Sequence, residues 1–352
     1  MKILINTPFL HLLGGVANHY FGLARYWSQD VKYLQVGRRG KVSRRGLYWL
    51  PWDIVRFIIK ILFFNPDVVV LNPSLGGSAI RRDFIFHRIA RLLGKPVTVF
   101  FHGFNEDTIP HLDLGNIVHV LNQSACVFVL AERFREIMQS WGVRVPIHLS
   151  TTKVDNLLLE NFCISTRSGH VKNILFLARV TEAKGIFIAL QCYRLLKEKY
   201  HELCFHVVGD GPALESARKF VFDNDIKDVF FYGALAGEEV AKAYSSADIY
   251  LFPTYHEGMP TSVLEAMAFG LPVVTRPVGG LVDFFVNGKM GEMVESLDPH
   301  DFSAALIKYI DAPDLAKEVA CYNYDYANKH FLASSVARCF EMDVAKSIGV
   351  EL

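Results

Sequence analysis

Short, uninterrupted apolar runs such as Val68 to Leu71, Val97 to Phe101 and Ile249 to Phe252 recur along this chain, with longer amphipathic stretches between them. A run of that length without polar alternation suits a strand buried on both faces, and such strands belong to parallel sheets covered by helices. The chain therefore reads as α/β. Strands are predicted at residues 2–6, 31–36, 67–71, 96–101, 126–130 and 146–149, then at 173–177, 203–208, 228–232, 248–252 and 272–275. A polar break at Ser165-Thr166-Arg167-Ser168-Gly169-His170 separates the two series. With 352 residues, two domains with a substantial core each are expected, one over residues 1–166 and one over 170–323.

Composition narrows the class of protein. Half the residues are apolar, yet no uninterrupted apolar run reaches the roughly 18 residues of a transmembrane helix. The first residues turn quickly from Ile3-Leu4-Ile5 to Pro8 and Gly14-Gly15, which reads as a first strand and glycine loop, not a signal peptide. Six scattered cysteines form no C-x-x-C pair and suit a reducing cytoplasm.

Net charge near zero conceals an asymmetry: about fifteen Lys and Arg against about four acidic residues lie in the first hundred positions. Arg38, Arg39, Lys41, Arg44 and Arg45 cluster just before Tyr48, Trp49, Trp52 and the apolar run Ile54 to Phe64. Basic, then aromatic, then apolar suggests contact with an anionic membrane surface. On a helix, Asp53, Arg56 and Lys60 share one stripe and leave an apolar face wider than one packed seam. The competing reading is an ordinary sheet-covering helix with a solvated stripe. Nucleic acid fits less well, because the aromatics cluster with aliphatics instead of interleaving with the basic residues.

The segment Glu257-Gly258-Met259-Pro260-Thr261-Ser262-Val263-Leu264-Glu265 sets two carboxylates eight positions apart around a turn and a helix start. Free N–H groups at such a start favour a diphosphate. Glu265 is then placed for ribose hydroxyls and Glu257 for those of an attached sugar. The same residues also read as a capping box, with Glu265 folded back onto the backbone from Ser262. Both readings stand on this stretch alone.

This segment resembles the E-x7-E motif of retaining glycosyltransferase family 4, and further matches follow in family order. Gly14-Gly15-Val16-Ala17 follows the first strand, and His102-Gly103-Phe104 follows the run ending at Phe101. Leu177 to Gly185 looks like the phosphate-binding loop, with Ala178 where glycine is usual, and Gly209-Asp210-Gly211-Pro212 and Gly279-Gly280 come after it. The resemblance implies the GT-B architecture, two Rossmann-like domains facing across a cleft, with a last helix (residues 324–352) crossing back to the first domain.

The resemblance also implies roles. Arg179 and Lys184 would neutralise the departing diphosphate, His102 would position the donor sugar, and Glu257 would orient it during front-face displacement with retention. Gly14, Gly15, Gly209 and the amides of Gly258, Met259 and Thr261 would lie along the donor, with Glu265 on the ribose. Pro260 stands where glycine is often found and removes one amide. A UDP-sugar is the expected donor, with GDP-mannose next, and a lipid-linked saccharide or glycolipid the expected acceptor, handled at the inner face of the membrane in the cytoplasm. No cofactor and no metal are implied. Asp223-Asn224-Asp225 spells D-x-D, but it sits between a helix and a strand and reads as a polar turn. The alternatives are a sugar nucleotide epimerase of the same architecture and a catalytically silent membrane-bound scaffold.

Overall fold

The computed structural model describes residues 1–10, 14–37, 49–75, 77–103 and 106–352. It divides into two compact units, Met1–Lys153 with Ala333–Leu352, and Val154–Leu332.

The first unit runs β1 (Lys2–Thr7), α1 (Gly15–Leu23), β2 (Asp30–Gln35), α2 (Leu50–Phe64), β3 (Val68–Leu71), α3 (Gly77–Leu92), β4 (Val97–Phe100), α4 (Leu114–Leu121), β5 (Cys126–Val129), α5 (Glu132–Ser140) and β6 (Ile147–Leu149). The strands form one parallel sheet in the order β2-β1-β3-β4-β5-β6. Central strands β3, β4 and β5 are buried at every position, which is why their sequence shows no polar alternation.

The second unit runs β7 (Asn173–Leu177), α6 (Ile186–Lys197), β8 (Cys204–Val208), α7 (Leu214–Asp223), β9 (Val229–Gly233), α8 (Glu238–Ser246), β10 (Ile249–Phe252), α9 (Thr261–Ala268), β11 (Val273–Thr275), β12 (Gly291–Met293), α10 (Pro299–Ile310) and α11 (Pro313–His330). Its parallel sheet has the order β12-β11-β10-β7-β8-β9. Two parallel, helix-covered sheets are the Rossmann-like pair that the alternating pattern predicts. The chain then returns to the first unit through α12 (Ala333–Ser347).

Three details differ from the sequence reading. The boundary expected at residues 166–170 lies at 153/154. Val154 is fully buried in the second core, its N–H donates to the Phe331 carbonyl, and the Arg167 guanidinium donates to carbonyls of Tyr244, Ser245, Ala247 and Phe269. The polar break is thus fastened to the second unit, not a linker. The single crossing helix is two helices parted at Phe331–Leu332; α11 belongs to the second unit and only α12 to the first. There the Glu341 carboxylate accepts from Ser28 Oγ at 2.6 Å and from the amides of Ser28 and Gln29 at 2.9 Å. Strand β12 was not predicted, since Gly291-Glu292-Met293 carries no apolar run.

Helix α2 also corrects an expectation. Its polar stripe is not solvated: Asp53 is buried and accepts from the Gly37 amide at 2.8 Å, and Arg56 donates to the Gln35 carbonyl at 3.1 Å. The outward face is the apolar one, with Trp52 55%, Leu62 64% and Phe63 87% exposed, and Trp49, Val55 and Ile59 exposed beside them. Arg38, Arg39, Lys41, Arg44 and Arg45 lie outside the described residues. No helix among the described residues is long and apolar enough to cross a membrane.

Candidate active site

In the second sheet the strand order reverses between β7 and β10, and ligands of open α/β sheets bind outside the carboxyl ends of strands at such a point. The loops leaving those two strands carry the residues singled out from the sequence. After β7 come Arg179 and a 3-10 turn, Glu182–Lys184; after β10 come Glu257 and the start of α9.

Backbone contacts lock the two loops together. The Tyr255 amide donates to the Ala183 carbonyl at 2.9 Å, and Thr254 Oγ1 donates to the same oxygen at 3.3 Å. Gly185 has φ +79°, and a Cβ there would lie 2.1 Å from the Pro253 carbonyl oxygen. Only glycine allows this approach. The consequence is an ion pair between Lys184 Nζ and Glu257 Oε1, both partly buried. Arg179, earlier in the same loop as Lys184, is exposed and has no ion-pair partner among the described residues.

Helix α9 begins at Thr261 after Pro260, and no side chain caps it. Ser262 therefore sits inside the first turn, where a capping box would need it one step outside. Its Oγ lies 2.8 Å from the Tyr250 hydroxyl, while Glu265 Oε2 accepts from the Tyr244 hydroxyl at 3.0 Å. Burial first, and then the Glu265 charge, hold the Tyr244 phenol well above its ordinary pKa, so it remains a donor. With Pro260 at the N-cap and Ser262 inside the helix, the start lacks the hydroxyl cap that a capping box needs, which removes that reading. The amides of Gly258, Thr261 and Ser262 have no hydrogen-bond acceptor among the described residues. Met259 packs its side chain against the core.

Gly209 serves the Arg179 loop: it has φ +136°, and a Cβ would fall 1.9 Å from the Ala178 carbonyl oxygen. Gly279 likewise has φ +51°, with a Cβ 2.0 Å from the Gly258 carbonyl oxygen. Asp223 and Asp225 lie at the opposite edge of the sheet, before β9, and pair with Lys219 and Lys227. No group of three metal-ligating side chains occurs among the described residues.

The remaining predicted residues lie in the first unit. Gly14 precedes α1, and a Cβ on Gly14 or Gly15 meets no atom within 4 Å, so nothing in the described packing requires glycine there. His102 follows β4, stacks on Phe100 with centroids 3.8 Å apart, and places Nε2 3.0 Å from Asn72 Oδ1. Burial lowers its pKa to about 3, so the ring is neutral. Tyr20 donates to the same Asn72 oxygen at 2.8 Å. Sequence reasoning missed Tyr20, Asn72, Tyr244 and Tyr250, since lone tyrosines and asparagines inside apolar runs carry no signal until the fold brings them together.

The family model "Glycosyl transferases group 1" matches residues 161–326, which contain the whole Arg179–Lys184–Glu257–Glu265 constellation. The amylovoran biosynthesis glycosyltransferase AmsK of Erwinia amylovora is 30% identical over 289 residues, covering 79% of this chain and 68% of the relative. The chain belongs to the group 1 glycosyltransferases. The sulfoquinovosyl transferase of Arabidopsis thaliana is 31% identical over 274 residues, covering 72% of this chain and 51% of that one. Among solved structures, Anabaena HepE in complex with UDP and glucose superposes on this glycosyltransferase with TM-score 0.76 at 15% identity, over 98% of this chain and 100% of the other. A sucrose-phosphate synthase from Thermosynechococcus elongatus gives 0.75 at 17% identity, over 99% of both chains. Identities this low carry the fold alone, and that fold is GT-B.

Proposed function

We propose that this group 1 glycosyltransferase is a retaining, metal-independent member of family 4. It moves a sugar from a UDP-sugar, or failing that from GDP-mannose, to a hydroxyl of a lipid-linked saccharide or glycolipid in cell-surface polysaccharide or glycolipid synthesis. The observation that carries this reading is the meeting of Lys184 and Glu257 at the strand-order reversal, together with exposed Arg179 and the uncapped start of α9. Two cations and unpartnered amides suit a departing diphosphate, whose growing charge is stabilised most by groups already in place. Glu257, from the adjoining loop, is within reach of the sugar hydroxyls, and Glu265 accepts from the ribose. The UDP and glucose bound by HepE support a UDP-sugar here. Incubating the protein with UDP-glucose, UDP-galactose, UDP-N-acetylglucosamine and GDP-mannose in EDTA tests it. Slow release of nucleotide from one UDP-sugar is expected, and release that requires added divalent cation would overturn the metal-independent mechanism.

The acceptor reading rests on α2. At the C-terminal end of this helix Lys2 and Lys32 lie over the buried Phe64 ring, with Lys32 Nζ 4.3 Å from the ring centroid, and Lys95 is bonded to Asn65. An apolar stripe bordered by cations fits the surface of an anionic bilayer, each cation contributing on the order of 1 kcal/mol. The enzyme then works peripherally, on the inner face of the membrane. Leu62→Ser with Phe63→Ser, or neutralisation of Arg38, Arg39, Lys41, Arg44 and Arg45, should release it from phosphatidylserine-containing vesicles in co-sedimentation. Equal sedimentation of wild type and both variants would favour a soluble acceptor.

A further inference from the structure

The first sheet also reverses its strand order, between β1 and β3, and buried polar groups collect at the carboxyl ends there. Asn6 and Thr7 end β1, and His19 projects from α1. All three are almost fully buried, and Asn6 Oδ1 and Nδ2, Thr7 Oγ1 and His19 Nδ1 have no hydrogen-bond partner among the described residues. Thr151 Oγ1, beyond β6, is in the same condition.

Lys153 completes the group. It is 5% exposed, and after burial and the neighbouring His102 its charge helps hold the His19 pKa well below the usual range. Its side chain passes along α1 at Gly22, where a Cβ would lie 2.1 Å from Lys153 Cε and 2.6 Å from Nζ. Gly22 is one turn from His19, so the ammonium lies on the same face of α1 as that ring. The stem is buried, while Nζ is not among the buried atoms that lack a partner, so the lysine presents its charged tip from an apolar seat.

We propose that Lys153, with His19, Asn6, Thr7 and Thr151, forms an oxyanion subsite in the first unit that receives a phosphate or carboxylate group of the acceptor. The lysine supplies the charge, and the hydroxyls and the Asn6 amide supply short hydrogen bonds to the anion's oxygens. The Lys153 side chain fills the space beside Gly22 that a Cβ would enter. The subsite rests on the glycosyltransferase reading for its occupant, but not for its geometry.

The test uses the full chain with UDP at saturation, so that Arg179 and Lys184 are occupied. Melting temperature is followed against inorganic phosphate and, separately, against glucuronate. At ten times its Kd, one of these anions should raise the melting temperature of wild type by about 3 °C. Lys153→Met should lose that shift while melting close to wild type without anion. A response to phosphate alone indicates a phosphate-bearing acceptor, and one to glucuronate alone an acidic sugar. If neither anion acts, or if both proteins respond equally, the subsite is rejected. Should Lys153→Met not fold, Lys153→Gln carries the same comparison. Failure of UDP itself to stabilise wild type would count against the glycosyltransferase reading and leave the anion arm legible.

Discussion

Lys184 and Glu257 are 73 residues apart in the chain and form an ion pair between the loops that leave the central strands β7 and β10. The glutamate neutralises the lysine, so on the proposed function a diphosphate would compete with Glu257 for Nζ, with Arg179 in the same loop as the lysine. Replacing Arg179 or Lys184 by alanine should therefore lower turnover at least about a hundredfold, the scale for a preorganised charge contact. Lys184→Ala should also leave Glu257 without its counter-charge, whereas Arg179→Ala removes an exposed residue and should not alter stability. Steady-state transfer rates and melting curves for both variants check this, and near-normal turnover with both residues removed would refute the diphosphate clamp.

Glu265→Gln preserves size while removing the charge that ribose hydroxyls would seek. Nucleotide affinity should fall about tenfold, with stability nearly unchanged because a glutamine can still accept from the Tyr244 hydroxyl. Calorimetry and urea melts separate the two effects; a loss of about 1 kcal/mol of stability at unchanged affinity would restore the capping interpretation.

The glycines should split into two groups. Gly279→Ala places a Cβ 2.0 Å from the Gly258 carbonyl oxygen at φ +51° and should destabilise the protein by more than about 1 kcal/mol. Gly14→Ala and Gly15→Ala meet open space and should fold normally but transfer sugar more slowly, because a ligand would approach there. Equal melting temperatures for all three variants would contradict the packing description.

His102 stays neutral in the fold because burial brings its pKa down to about 3 from 6.5. A folded pKa below the unfolded one means stability that is fully present above about pH 6.5 and is lost as pH falls toward 3. Wild type should be about 1 to 2 kcal/mol more sensitive to a drop from pH 7 to pH 5 than His102→Phe. Identical sensitivity in urea melts would show that the ring is not held neutral.

Much of the fold was legible because strands such as Val68–Leu71 and Ile249–Phe252 are buried on both faces and so write themselves as apolar runs. Strand β12 was not, since Gly291-Glu292-Met293 carries no apolar run. The unit boundary was hidden for a different reason: Arg167 sits in a stretch with the composition of a linker, and only tertiary contacts reveal that its guanidinium holds four carbonyls. Within the site, Arg179, Lys184 and the two glutamates stand in recognisable order, while Tyr244, Tyr250 and Lys153 act through partners many residues away. The α2 stripe shows the limit of periodicity most plainly. Asp53 and Arg56 look like a solvated face, but they satisfy the backbone of Gly37 and Gln35, and the apolar residues point outward.

The account stands or falls most directly on titration of the protein with UDP, followed by calorimetry, in wild type and in the variant lacking both Arg179 and Lys184 side chains beyond Cβ. Micromolar binding by wild type, weakened at least tenfold in the double variant, is the predicted result. Failure of wild type to bind either UDP or GDP, or equal affinity in the two proteins, would contradict a nucleotide-sugar site at the β7–β10 reversal.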